Sequence, residues 1–270
     1  MSCVNPQNIY APYTDENGYT AYRACVVPCG KCAMCLQARA REWSLRCMQE
    51  ASQYEHNCFI TLTYDNEHLP EHGSLVKEHP RAFLKRLRRR HDDVTIRYFG
   101  CGEYGSHGLR PHYHIILFNF DFADKYAFRR SSRGELLYRS DELESLWTFG
   151  FSSIGEVTEE STRYCAKYLQ KLQEPPAGCI PSYTYMSLKP GIGFNAVSES
   201  AVETGCYYVD GQRYNIPRYY CKVLERQGVC LDEYKSLKMA SAIAYANAQP
   251  SRLDAAYDKV QKLYQKGIDK

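Results

Sequence analysis

No run of apolar residues in the 270-residue chain is long enough to span a bilayer, and its opening, MSCVNPQNIY, lacks the basic start and apolar stretch of a secretory signal. A cytosolic protein is therefore expected, with no membrane partner. The sequence also has no internal repeat, no low-complexity segment and no phosphate-binding GKS/T loop. A solenoid, a disordered tail and a self-contained helicase motor are set aside on those grounds. Charge of one sign is scarce as well: 34 Lys+Arg against 31 Asp+Glu leave a formal +3, too little for a protein that coats nucleic acid indiscriminately. Any DNA contact has to be local. What excess there is lies between Arg81 and Arg97, where Arg81, Lys85, Arg86, Arg88, Arg89, Arg90 and Arg97 outnumber Asp92 and Asp93.

Cysteine, by contrast, is abundant, at 13 residues. In a reducing compartment these are thiols, and clustered ones become candidate metal ligands. Cys29, Cys32 and Cys35 stand at C-x-x-C-x-x-C spacing, just before a helix expected from Leu36 to about Glu55. Three thiolates suit a structural tetrahedral zinc with Cys3, Cys25 or Cys47 as fourth ligand, and such a site would pin an irregular N-terminus. Free thiols and an iron–sulfur cluster are the competing readings; the proline that often follows the last cluster cysteine is absent.

The middle of the chain predicts one α+β domain. CFITLTY (58–64) alternates and is β-rich; Pro80 suits the first turn of a helix running to about Arg90, with Phe83, Leu84 and Leu87 on its buried side. Two strands, 95–103 and 112–120, flank the glycine-rich loop YGSHGLRP, a hairpin signal. Ser140 is placed to cap a short acidic-first helix, DELESLW; FSSIGEV reads as a strand; and Thr158 is placed to cap EESTRYCAKYLQKLQ, which Pro175 and Pro176 stop. The order βαββαβα predicts a ferredoxin-like split-βαβ antiparallel sheet with helices on one face. The expected organisation is 1–56, a Cys-rich segment and helix; 57–175, the central domain; and 176–270, a Tyr-rich and helical appendage.

Chemistry concentrates on the hairpin. His112 and His114, two apart on a strand, share a face, and a symmetric closure by Tyr104 to Pro111 sets Glu103 across from His112. Two imidazoles and a carboxylate form a facial set with open positions, suited to manganese or magnesium on a phosphate; a solvated histidine pair on an edge strand is the bland alternative. The histidines at 56, 68, 72, 79, 91 and 107 are read as surface residues. On the last helix Tyr164 and Tyr168, and likewise Lys167 and Lys171, are one turn apart, while Cys165, Leu169 and Leu172 form a separate apolar stripe. A phenol is a poor nucleophile at neutral pH, but neighbouring ammonium groups favour its phenolate. A merely amphipathic helix is the alternative there.

FITLTY, RPHYHIILF and YCAKY with its second lysine resemble, in order, the three motifs of HUH endonucleases that initiate rolling-circle replication. With PCGKCAMC, FITLTYDNEHLP, KRLRRR, IRYFGCGEYG, MSLKPGIG and IPRYY, the chain resembles the replication initiation proteins of gokushovirus-type microviruses, small single-stranded DNA bacteriophages. The residue between the motif histidines is usually bulky and apolar, so Tyr113 departs mildly. The resemblance implies an HUH fold in which Glu103, His112 and His114 hold a divalent metal on the scissile phosphate. Tyr164 would attack phosphorus to leave a 5′-phosphotyrosine and a 3′-hydroxyl for the host polymerase. Tyr168 would attack the regenerated junction so that the old strand is resealed, with Lys167 and Lys171 steadying phosphate or phenolate. Thr61 and Thr63 would contact DNA near the metal, and Arg86, Arg89, Arg97 and Arg110 would supply further DNA contacts. The expected setting is the host bacterial cytoplasm, with an origin in single-stranded DNA and host helicase and polymerase as partners.

Two other classes compete: a non-catalytic, zinc-containing single-stranded DNA-binding protein, and a metal-dependent phosphodiesterase that uses water. Tyr183, Tyr185, Tyr207, Tyr208, Tyr214, Tyr219 and Tyr220, beside Lys189, Arg213 and Arg218, either stack exposed bases or pack against the sheet. Two amphipathic helices separated near Pro250 are expected after Leu231.

Overall fold

The computed structural model describes residues 3–105, 108–131, 134–167 and 175–247. The chain divides into two compact units, Met1–Arg39 with Cys230–Lys270, and Ala40–Val229. The first holds an antiparallel hairpin, β1 (Gln7–Thr14) and β2 (Thr20–Val27), where the sequence suggested irregular chain. Pro12 hid the strand. It is tolerated because the hairpin has no strand beyond β1, so no ladder partner is lost. Asp15 closes the turn, its carboxylate accepting from the backbone N–H groups of Asn17 and Tyr19. Helix α1 (Ala33–Ala51) follows.

The second unit continues with β3 (Asn57–Tyr64), α2 (Glu78–Arg90), β4 (Arg97–Tyr104), β5 (Pro111–Phe118), β6 (Tyr126–Arg130), β7 (Leu136–Arg139), α3 (Asp141–Leu146), β8 (Gly150–Gly155), α4 (Glu159–Lys167), β9 (Tyr183–Met186), α5 (Ser200–Thr204), β10 (Cys206–Val209), β11 (Gln212–Asn215) and α6 (Arg218–Arg226). Helix α7 (Asp232–Asn247) belongs to the first unit; the segment beyond Pro250, expected as a further helix, lies outside the described residues. The α+β class holds. Among the described residues, seven strands form one sheet in the order β6-β7-β8-β3-β5-β4-β9, every pair antiparallel. The four strands expected from the sequence, β3, β4, β5 and β8, sit together as β8-β3-β5-β4.

Caps fall where the sequence placed them. The Ser140 hydroxyl accepts from the Leu143 N–H at 3.0 Å to start α3. At α4, Thr158 and Ser161 cap reciprocally: Thr158 Oγ1 accepts from Ser161 N–H at 3.1 Å and Thr158 N–H donates to Ser161 Oγ at 2.8 Å.

Helices cover both faces of the sheet, not one. Alternation sends Ile60, Leu62, Tyr64, Tyr113, Ile115 and Leu117 toward Phe83, Leu84 and Leu87 of α2 and Leu143 and Leu146 of α3. The opposite phase sends Phe99, Cys101, Ile116 and Phe118 toward Cys47 of α1 and Cys165 of α4. Because β4 and β5 are apolar in both phases, each face needs a layer. A buried hydrogen bond of 2.9 Å between Ser44 and Thr162 ties α1 to α4 on that second face.

The Tyr-rich segment packs rather than presents its rings. Strand β9 pairs with β4, and a Cβ on Gly100 would come within 2.7 Å of the Tyr185 ring, so the glycine is what admits it. Tyr214 donates to Glu159 at 2.6 Å and Tyr220 to Gln49 at 2.8 Å. Of the seven tyrosines only Tyr208 is broadly exposed, at 67%. His79 is likewise no surface residue: it stacks on Phe149 and its Nδ1 lies 2.6 Å from the Tyr64 hydroxyl. No helix among the described residues is long and apolar enough to cross a membrane.

Candidate metal and nucleophile site

On β4 and β5 the register pairs Glu103 with His112 and Cys101 with His114, and β3 sets Thr61 against His114 and Thr63 against His112. Odd positions of β3 and β4 and even positions of β5 therefore converge on the face shared with α1 and α4. Glu103 is 1% exposed, His114 7% and His112 15%. Glu103 Oε1 lies 2.7 Å from His112 Nε2 and 3.1 Å from His114 Nε2.

The outer ring nitrogens decide what this cluster can hold. His112 Nδ1 is 3.0 Å from the backbone oxygen of Arg110, a pure acceptor, so Nδ1 carries the proton and the neutral ring turns its Nε2 lone pair inward. His114 Nδ1 is 3.0 Å from Thr61 Oγ1, which accepts in the same sense. Two lone pairs and a carboxylate oxygen at these distances repel unless a cation or extra protons sit among them. The donor set fits a divalent ion, whose histidine ligands ordinarily give their second N–H to an oxygen. In the metal-free chain, burial raises the Glu103 carboxyl, but hydrogen bonds from His112 and His114 outweigh it and hold the group at about 2.

Tyr164 completes the site from α4. Its ring meets His114 edge-on at 5.1 Å between centroids, and its hydroxyl stands 3.4 Å from Glu103 Oε1, longer than the roughly 2.5–3.0 Å of an O–H···O bond. The ring packs against the core formed by Phe99, Ile116 and Cys165 while the hydroxyl reaches the ligands. Cys165 is fully buried, as its stripe predicted. Tyr168 and Lys171, with the side chain of Lys167, lie outside the described residues.

The remaining expected DNA contacts divide. Thr61 is engaged with His114, which makes it a positioning group; Thr63 stays half-buried on the site face. Arg110 donates to the Tyr64 carbonyl at 2.9 Å and to the Asn66 side chain, so it braces the hairpin. Arg97 is corrected: only 8% exposed, its guanidinium pairs with Glu50 and donates to Pro190 O at 2.9 Å, leaving nothing for DNA. Arg86 donates to Leu146 O at 2.7 Å, closing the end of α3, and Arg89 is exposed on α2; both lie on the sheet face away from Glu103.

A second candidate centre lies in the first unit. The sulfurs of Cys3, Cys29, Cys32 and Cys35 are all within 4.8 Å of one another. Cys29–Cys35 and Cys3–Cys32 are each 3.9 Å apart, close to the ~3.8 Å edge of a tetrahedron with metal–sulfur bonds of about 2.3 Å. Backbone N–H groups of Lys31 and Cys32 lower the Cys29 thiol to about 6. Cys47 is instead buried among Phe99 and Ile116, and the side chain of Cys25 lies outside the described residues. Cys3 and Cys29 flank the β1–β2 hairpin, so an ion here would close its base, an arrangement spacing alone left open.

A family model for the replication-associated protein ORF2 matches residues 57–173, the stretch that carries the triad and Tyr164. The replication-associated protein ORF2 of Spiroplasma virus 4 is 32% identical over 225 residues, covering 74% of this chain and 68% of its own length. The chain belongs to this family, the replication-associated proteins of gokushovirus-type microviruses. Two further members are similar to it: the replication-associated protein ORF4 of Chlamydia phage 1, at 31% identity over 74% of the chain, and VP4 of Bdellovibrio phage phiMH2K, at 36% over 63%. The matches span 54% and 58% of the lengths of these two relatives. No solved structure matches.

Proposed function

We propose that the chain is a replication initiator that nicks and rejoins single-stranded DNA at a phage origin, with Tyr164 as nucleophile. The observation that carries the reading is the placement of the Tyr164 hydroxyl 3.4 Å from Glu103 Oε1, at the edge of a two-histidine, one-carboxylate cluster. The strand order β8-β3-β5-β4 with its connecting helices is read as the split-βαβ core of an HUH endonuclease. Glu103, His112 and His114 would hold a divalent manganese or magnesium ion, whose charge neutralises the non-bridging oxygens of a bound phosphate. Thr61 and the Arg110 carbonyl keep both imidazoles facing inward, and α4 holds the phenol rigidly beside them.

In this reading the Tyr164 phenolate forms a bond to phosphorus, the bond from phosphorus to the 3′-oxygen breaks, and that oxygen leaves as a hydroxyl after gaining a proton. The 5′ end stays on tyrosine, so the energy of the cut bond is kept for rejoining. Tyr168 serves as the second nucleophile, and Lys167 and Lys171 stabilise phenolate or phosphate. Zinc at the four cysteines is structural. Host helicase and polymerase act with the protein in the bacterial cytoplasm.

The test is incubation with origin single-stranded DNA and manganese, then denaturing electrophoresis of wild type, Tyr164→Phe, Tyr168→Phe and the double variant. The reading expects an adduct that survives denaturation and disappears with EDTA and in the double variant. Cleavage without an adduct would mean a water nucleophile; binding without cleavage would mean a zinc-containing DNA-binding module.

A further inference from the structure

Helix α2 carries six cations, Arg81, Lys85, Arg86, Arg88, Arg89 and Arg90, against one acid, Glu78. The whole chain is only +3. Subtracting the helix's six cations and one carboxylate leaves 28 Lys+Arg against 30 Asp+Glu, so everything outside α2 is net negative. Arg86 and Arg90 are turned toward α3, Arg86 onto Leu146 O and Arg90 toward Glu142 at 3.7 Å. The others line a shallow groove of about 440 Å³ made by Arg81, Lys85, Arg88 and Arg89 with Asp92 at its end and Tyr98 beneath. Among the described residues no carboxylate forms an ion pair with Arg81, Lys85 or Arg89. Arg88 anchors the floor, donating twice to Ile96 O and lying 5.0 Å over the Tyr98 ring.

Alternation along β4 puts Tyr98 on the α2 face and Glu103 on the opposite one. The groove is thus separated from the nucleophile by the thickness of the sheet. It cannot hold the scissile phosphate.

We propose that this groove is a second track for the phosphodiester backbone of single-stranded DNA, engaging nucleotides remote from those at the Glu103 cluster. Arg81, Lys85 and Arg89 recur every four residues, about 6 Å per step at 1.5 Å rise, a linear array of positive charge matched to a linear polyanion. The concave shape and the half-buried Tyr98 face, with Arg88 stacked on it, favour a single strand with unstacked bases over a duplex. The inference rests on the reading of the chain as a single-stranded DNA enzyme.

The experiment compares wild type with Arg81→Gln/Lys85→Gln/Arg89→Gln, all at exposed positions, with a thermal melt to verify folding. Affinity is measured against salt for a long oligothymidylate and for a duplex of the same length. Adduct formation is measured on a short oligonucleotide carrying only the cleavage site. Three lost contacts at about 0.7 each should lower the salt slope for the long single strand by roughly 2, and its affinity at 0.1 M salt by about 100-fold. The short-substrate adduct should be unchanged. An unchanged slope on the long strand, or an equal loss on the duplex, overturns the proposal. Failure of the function reading looks different: no adduct from wild type, whatever the groove variant does.

Discussion

Thr61→Val isolates the part of the site that no ligand swap can reach. Valine keeps the shape and β-branching that β3 requires, and it deletes the hydroxyl 3.0 Å from His114 Nδ1. His114 is 7% exposed, so water is poorly placed to replace the lost acceptor. The ring N–H is left unsatisfied at a cost of about 1–3 kcal/mol, or the ring shifts its proton to Nε2 and presents a donor to the metal position. Loss of such an outer partner typically weakens metal binding about 10–100-fold, equivalent to roughly 1.4–2.8 kcal/mol. Calorimetric titration of EDTA-stripped protein with manganese reads this directly, and the fold is checked by near-UV circular dichroism. A Kd for manganese within twofold of wild type, with the fold intact, would refute the account of how His114 is oriented.

Other outcomes follow from the same geometry. Glu103 titrates at about 2 in the metal-free chain, below its usual 4.5, so its contribution to stability is full above about pH 4.5 and is lost as pH falls toward 2; urea titrations in EDTA should show Glu103→Gln lacking that acid-sensitive component. Cys3→Ser should lower zinc content measured by atomic emission from one ion per chain toward none, whereas Cys47→Ser should leave it intact, because Cys47 is buried in the other unit's core. Arg97→Met leaves the Glu50 carboxylate buried without its partner and should destabilise the protein by about 3–5 kcal/mol in urea melts. Its DNA salt slope should match that of wild type.

What was legible in the sequence was whatever short-range rules control. β-branched alternation marked β3 and β5, and the caps at Ser140 and Thr158 are local side-chain chemistry. Glu103 could be paired with His112 because a single short loop joins their strands. What escaped depends on contacts far apart in sequence. Nothing local says that α4 crosses to the α1 face, since that is decided by the second apolar phase of β4 and β5 and by Ser44 meeting Thr162. Strand β6 is exposed throughout and carries no apolar alternation; β9 is four residues inside a Tyr- and Pro-rich stretch. The glycines of FGCGE were the available signal for β9, because glycine within a strand marks the close approach of another group. Arg97 looked like its basic neighbours in α2, yet its strand phase faces inward to Glu50. Thr61 was placed at the right face, but its engagement with a ligand ring required the register of β3 on β5.

The most direct measurement of the central claim is mass spectrometry of the protein–DNA adduct after nuclease trimming and trypsin digestion. Cleavage after Arg163, Lys167 and Lys171 separates the peptides YCAK and YLQK, so each tyrosine reports alone. The account predicts nucleotide phosphate on the Tyr164 peptide, retained in Tyr168→Phe and dependent on Glu103. Nucleotide attached elsewhere in the chain, or a Tyr164→Phe protein whose adduct on the first cleavage is undiminished, would contradict it.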